Sequence, residues 1–62
     1  MDWEPKIQEK FQAIIAKIPV FHRRIAEEAI IQKAEENARS RNSPLVEERD
    51  VVSAFFSDVP NP

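Results

Sequence analysis

The sequence has no cysteine and no glycine among its 62 residues, and it has one histidine and one tryptophan. Without cysteine there can be no disulfide staple, thiolate metal site, iron–sulfur ligation or cysteine nucleophile. Without glycine there is no Gly-rich phosphate loop, no dinucleotide fingerprint and no flexible linker. Uninterrupted apolar runs stop at four residues, as in Ala13-Ile14-Ile15-Ala16, which excludes a membrane span or a signal-peptide core and makes a cytoplasmic or stromal protein the expectation. Neither acid nor base is in large excess. Nine basic against eleven acidic side chains give a net charge of −2 and a pI near 5.3, which argues against non-specific binding to nucleic acid or to an anionic membrane.

What is present points to a small folded module. Hydrophobic residues make up 42% and charged residues 32%, a balance that suits a folded domain better than a disordered tail. At 7.2 kDa the chain is a single domain, residues 1–62, near the lower size at which a core alone holds a fold. Order is expected over about residues 3–57, with a frayed tail at 58–62. Five prolines, Pro5, Pro19, Pro44, Pro60 and Pro62, divide it into three helical segments.

In the first segment Pro5 suits an early helical position, and Ile7, Phe11, Ile14, Ile15 and Ile18 follow at helical spacing. Asp2 and Glu4 complement the dipole at its start and Lys17 at its end. Pro19 forces Ile18 out of the helix. Pro19 also opens a second helix, which exceeds twenty residues before the Asn42-Ser43-Pro44 breaker. Its apolar residues fall in two rows, Phe21-Ile25-Ala29 and Ala26-Ile30-Ala34-Ala38, on different sides of the cylinder. A central helix flanked by the other two covers both rows; the alternative is that a second chain covers one. Asn42 can end this helix in the left-handed conformation, and Ser43 to Val46 read as a short extended connector with Val46 inward. Glu47, Glu48 and Asp50 place acid in the first turn of a third helix carrying Val51, Val52, Phe55, Phe56 and Val59. The fold expected is all-α: a compact three-helix domain with a long central helix. Its core draws on Phe11, Ile14, Ile15, Ile18, Phe21, Ile25, Ile30, Ala34, Val46, Val51 and Phe55.

Few residues offer chemistry. Any acid–base or axial-ligand role falls on His22, which has no histidine or cysteine partner. An exposed or capping imidazole is the simpler reading, and no metal or cofactor is expected. His22-Arg23-Arg24 could receive a carboxylate or phosphate, but adjacent helical positions point about 100° apart and Glu27 and Glu28 lie one turn on. Ion pairs within the helix, such as Arg24/Glu28 and Glu35/Arg39, are the simpler account. Glu47-Glu48-Arg49-Asp50 lacks the spacing of a calcium loop. Glu27/Glu28 and Glu35/Glu36 resemble paired catalytic carboxylates only superficially, because they lie on a helix surface. Seven kilodaltons leaves little wall for an active site, so an enzyme is disfavoured. Trp3 reads as a hydrophobic staple or as a partner-facing anchor.

Trp3-Glu4-Pro5, Lys17-Ile18-Pro19-Val20-Phe21-His22-Arg23, Glu35-Glu36-Asn37-Ala38-Arg39, and Val46 with Val51 and Ala54 follow one another in an order that resembles a known family. It is similar to the small C-terminal domain of the B subunit of light-independent (dark-operative) protochlorophyllide reductase. In that family a Trp-Thr-Pro start leads to a Lys-Ile-Pro-Phe-Phe-Val-Arg turn, a Glu-x-x-Ala-Arg helix end, a Gly and an Ile-Thr segment. The resemblance spans about residues 3–55 and would make this chain a free-standing copy. Glu4, His22, Asn42 and Glu47 stand where the family has Thr, Val, Gly and Thr, and about four extra residues lie between Arg23 and Glu35, close to one helical turn. The resemblance implies an accessory or assembly role in chlorophyll biosynthesis, with reductase subunits as partners. It carries over no cluster, P-loop or substrate pocket. A shallower similarity to histone-type folds and ATPase lid domains implies instead a homodimerising helical module with no role in pigment synthesis. Either way the function expected is protein binding without catalysis, with Trp3, His22, Arg23, Arg24 and Ile30 as the candidate contact residues.

Overall fold

A computed structural model describes residues 1–56, so the expectations for Val59 and for the tail at 58–62 lie outside the described residues. Three helices, α1 (Pro5–Ile15), α2 (Val20–Ser40) and α3 (Glu48–Phe56), are accompanied by two short strands, β1 (Asp2–Trp3) and β2 (Leu45–Val46). The fold is the all-α domain with a long central helix that the prolines and the apolar rows predict.

Each boundary has a local cause. Pro5 occupies the first turn of α1, where its missing N–H costs nothing, and Glu4 precedes it in an extended conformation (φ −61°, ψ 129°). The helix ends at Ile15, three residues before the proline-imposed limit. There the Lys17 and Ile18 N–H groups donate to the Ile14 and Ile15 carbonyls at 3.1 and 3.0 Å, tightening the chain into three-residue turns. Pro19, extended at ψ 141°, starts α2. At its far end Asn42 adopts φ 59°. The Ser43 N–H donates to the Ala38 carbonyl (2.9 Å) and the Asn42 N–H to the Arg39 carbonyl (3.0 Å). This is a Schellman turn, and asparagine is the residue that best replaces glycine at its left-handed position.

The strands were not foreseen as a pair. Asp2 pairs with Leu45 and Trp3 with Val46 in a parallel ribbon, and the Glu4 N–H continues it by donating to the Val46 carbonyl (3.0 Å). Two residues are too short to show an alternating pattern, so the connector held the only signal.

The core contains Ile7, Phe11 and Ile15 from α1, Ile30, Ala34 and Ala38 from α2, Val46 from β2, and Val51 and Ala54 from α3, with Trp3, Ile18, Ile31 and Phe55 packed against it. Phe11 lies between the rings of Trp3 and Phe55, at centroid distances of 5.2 and 6.4 Å. Three expected core residues lie outside it: Ile14 is 44%, Phe21 88% and Ile25 72% exposed. The reason is which row of α2 is covered. Its buried residues are Ile30, Ala34 and Ala38, whereas Phe21 and Ile25 point into solvent. Ile30 lies about two and a half turns after Phe21, on the opposite side. Ala34 and Ala38, both 0% exposed, are small enough to let α3 approach closely.

One carboxylate organises the α2–β2–α3 corner. Asp50, 1% exposed, receives the Arg41 guanidinium in a two-pronged contact of 2.8 and 2.6 Å and the Glu47 N–H at 2.9 Å. Asn37 Nδ2 donates to the Asp50 carbonyl at 3.1 Å. The Arg41 hydrogen bonds, then the Glu47 amide and the charges of Arg41 and Arg49, hold the Asp50 carboxyl below its ordinary value of 3.8, against burial, which pushes it up. Asp50 in turn raises the Arg41 guanidinium above its ordinary value. The acid-rich start of α3 therefore does more than complement the helix dipole.

Two predictions follow from this packing. Ala38→Leu should overfill the α2/α3 contact and cost about 1–3 kcal/mol in urea unfolding followed by circular dichroism, whereas Phe21→Ala should stay within about 0.5 kcal/mol of wild type. Because the folded-state pKa of Asp50 is depressed, its contribution to stability is present above the ordinary value of 3.8 and is lost as pH falls through the lower folded-state value. The urea midpoint should fall on acidification in that range, and Asp50→Asn should start lower at neutral pH and lose most of this acid limb. An unchanged acid limb in Asp50→Asn would assign it to other carboxylates.

Candidate functional site

The N-terminal half of α2 is built differently from the rest of the helix. From Val20 to Ala29 it contributes no buried residue, and burial begins at Ile30. Val20 (74%), Phe21 (88%) and Ile25 (72%) stand in solvent. Phe21, Ile25 and Ala29 follow one another at i, i+4 and i+8 and so form one ridge, with Arg24 and Glu28 along one flank. Large apolar side chains left at the surface in a row are characteristic of interaction sites.

The five candidate residues take separate places. Trp3 is half-buried: its ring lies on Phe11, and its Nε1–H donates to Glu35 Oε2 at 3.2 Å. It packs two turns into α1, deeper than a staple reaches, and ties β1 to α2. Arg23 reaches back over the preceding turn, donating from Nη2 to the Ala16 and Ile18 carbonyls (3.1 Å each) and from Nε to the Ile18 carbonyl (3.3 Å). It satisfies carbonyls that the end of α1 leaves open and so fixes how α2 leaves α1. Arg24 faces Glu28 at 3.5 Å, with both side chains in solvent. His22 is exposed, and its imidazole makes no hydrogen bond or ion pair among the described residues. Ile30 sits in the core at 9% exposure, on the side of α2 away from the ridge. The basic cluster is thus divided among an intrachain clamp, a surface ion pair and a free imidazole.

Phe21 and Ile25 are the surface residues that sequence reasoning assigned to the core. The signal that could have found them was the second apolar row on α2, for which a covering second chain was the stated alternative.

Other surfaces carry less. An apolar pit of about 100 Å³ lies between α1 and α3, lined by Ile7, Phe11, Ile14, Val51, Val52 and Phe55, among others; it is smaller than the roughly 300–1,000 Å³ of ligand pockets. No group of three or more His, Cys, Asp or Glu side chains among the described residues is placed to hold a metal ion. The carboxylate held below its ordinary value, Asp50, is occupied by Arg41 and the Glu47 amide in the structural corner. Among the described residues no helix is long and apolar enough to cross a membrane. Comparison with models of known protein families, with curated proteins and with solved structures found no match.

Arg23→Ala should loosen the α1–α2 junction and cost about 1 kcal/mol in urea unfolding, while His22→Ala, a few ångströms of chain away, should change stability by less than about 0.5 kcal/mol. Equal effects of the two would remove the clamp assigned to Arg23.

Proposed function

We propose that this chain is a cytoplasmic, non-catalytic protein-interaction domain, an accessory or assembly module related to light-independent protochlorophyllide reductase, and that it docks through the ridge of α2. The observation that carries the docking reading is the solvent-exposed row Phe21-Ile25 with Val20, on a helix whose buried face starts only at Ile30. Leaving a phenylalanine, an isoleucine and a valine in water forgoes hydrophobic stabilisation of roughly 1.5–3 kcal/mol per side chain, which a partner recovers on covering them. Phe21 is the natural anchor, being large and rigid for its conformational freedom.

The reductase setting rests on the ordered motifs. Trp3 and Glu35 belong to different motifs, and they meet through a hydrogen bond. Arg23 closes the Lys-Ile-Pro turn onto the Ala16 and Ile18 carbonyls. Asn42, where the family pattern has glycine, sits at φ 59°. The motif residues thus have coherent fold-forming roles, which supports reading their order as descent from that domain. The role carried over is assembly, since the chemistry of such a reductase resides in clusters and phosphate loops that this sequence lacks.

Binding of the labelled chain to the purified reductase complex, followed by fluorescence anisotropy, tests both parts. Wild type should bind, and Phe21→Ser/Ile25→Ser, checked for helicity, should weaken binding at least about tenfold. Absence of binding by the wild type at about 100 μM would withdraw the reductase setting, and binding indifferent to the double substitution would withdraw the ridge.

A further inference from the structure

We propose that the partner fitting the ridge of α2 is a second copy of this chain, crossing the first antiparallel about a two-fold axis near Ile25. This deepens the docking reading above and rests on it: the ridge joins two copies, and the pair is the unit that enters any larger assembly.

The argument is one of self-complementarity. A two-fold interface presents the same patch twice, so residues on one side of the axis meet residues on the other. With the axis at Ile25, the two Ile25 side chains meet at the centre, and Phe21 lies over the partner's Ala29, four residues to the other side. The ridge is therefore large at one end, small at the other and medium in the middle, the sequence of sizes that lets a reversed copy interdigitate.

Charge follows the same symmetry. In an antiparallel pair the same flank of each helix comes together, running in opposite directions. Arg24 and Glu28 share a flank and bracket the axis, so each comes within two residues, about 3 Å of helical rise, of the oppositely charged side chain of the partner, a gap these long side chains span. The charges are available for this. The side chains of Arg24 and Glu28 are 89% and 70% exposed and touch each other only at 3.5 Å, a surface pair weak enough to exchange partners.

The flat shape of the molecule makes room for the contact. The molecule is 14 Å thick and nothing in the chain among the described residues stands over the ridge, so a second layer can be laid on α2 without rearranging the first.

Sedimentation velocity on the full chain over a concentration series tests the pairing. Wild type should pass from monomer to dimer with rising concentration. Ile25→Glu should weaken the dimer at least about tenfold while helicity is retained. Arg24→Glu alone should weaken it about threefold or more, and Arg24→Glu/Glu28→Arg, which restores opposite charges across the axis, should return it to within about twofold of wild type. A dimer that ignores Ile25→Glu, or one that the charge exchange fails to restore, overturns the pairing. So does a wild-type chain that stays monomeric at about 1 mM. A monomer that still binds the reductase complex through Phe21 and Ile25 overturns the two-fold pairing alone; a monomer that binds nothing removes the docking reading with it.

Discussion

A buried charge must be answered where it lies, and in this chain the answer to Asp50 sets the position of nearly everything else. An ionised carboxylate at 1% exposure is tolerable only if its oxygens are occupied, and here Arg41 and the Glu47 amide occupy them. Arg41 is the residue at which α2 ends, and Glu47 immediately precedes α3. The contact therefore fixes the angle between the two helices and the path of β2 between them. β2 in turn offers its edge to β1, and β1 carries Trp3 onto Phe11. In a fold with no disulfide and three alanines and two valines among nine core residues, specificity of this kind matters, because small apolar side chains alone leave several packings close in energy.

The helices were legible because two independent signals agreed on them: proline punctuation at Pro5, Pro19 and Pro44, and apolar rows at helical spacing. The partition of α2 was not. Phe21-Ile25-Ala29 is at least as hydrophobic as Ala26-Ile30-Ala34-Ala38, and sequence alone favours the bulkier row for the core. The structure chooses the smaller one because close approach to α3 requires alanine. The corner was illegible for a different reason. Acid in the first turn of a helix is what a solvated helix start also shows, and nothing in the spacing of Arg41, nine residues before Asp50, marks it as the partner. The strands escaped because a two-residue strand has no period to detect.

The candidate surface was half legible. Its residues were identified as a row and its covering by a second chain was named as an alternative, yet the contact residues chosen were the chemically conspicuous ones. Trp3, Arg23 and Ile30 serve the fold, through Glu35, the Ala16 and Ile18 carbonyls, and the core respectively. Conspicuous residues in a chain this short are scarce, and the fold takes them first. The motif residues that carry the family resemblance include Trp3, Glu35 and Arg23, whose side chains have intrachain partners, so similarity at those positions speaks of how the chain folds. What it docks with is written in the plainer residues of the ridge.

The parallel ribbon has a temporal consequence. β1 is made of the second and third residues of the chain and β2 of the forty-fifth and forty-sixth, so the first strand has nothing to pair with until almost the whole domain has left the ribosome. α1 and α2 can form locally as they emerge, but the closure that pins Trp3 in place joins segments more than forty residues apart in sequence, and the entropy of bringing such distant segments together is met late. The fold completes itself by bringing β1 back to the segment that leads into α3, and until then the α1 face that Trp3 and Phe55 cover stays open to water.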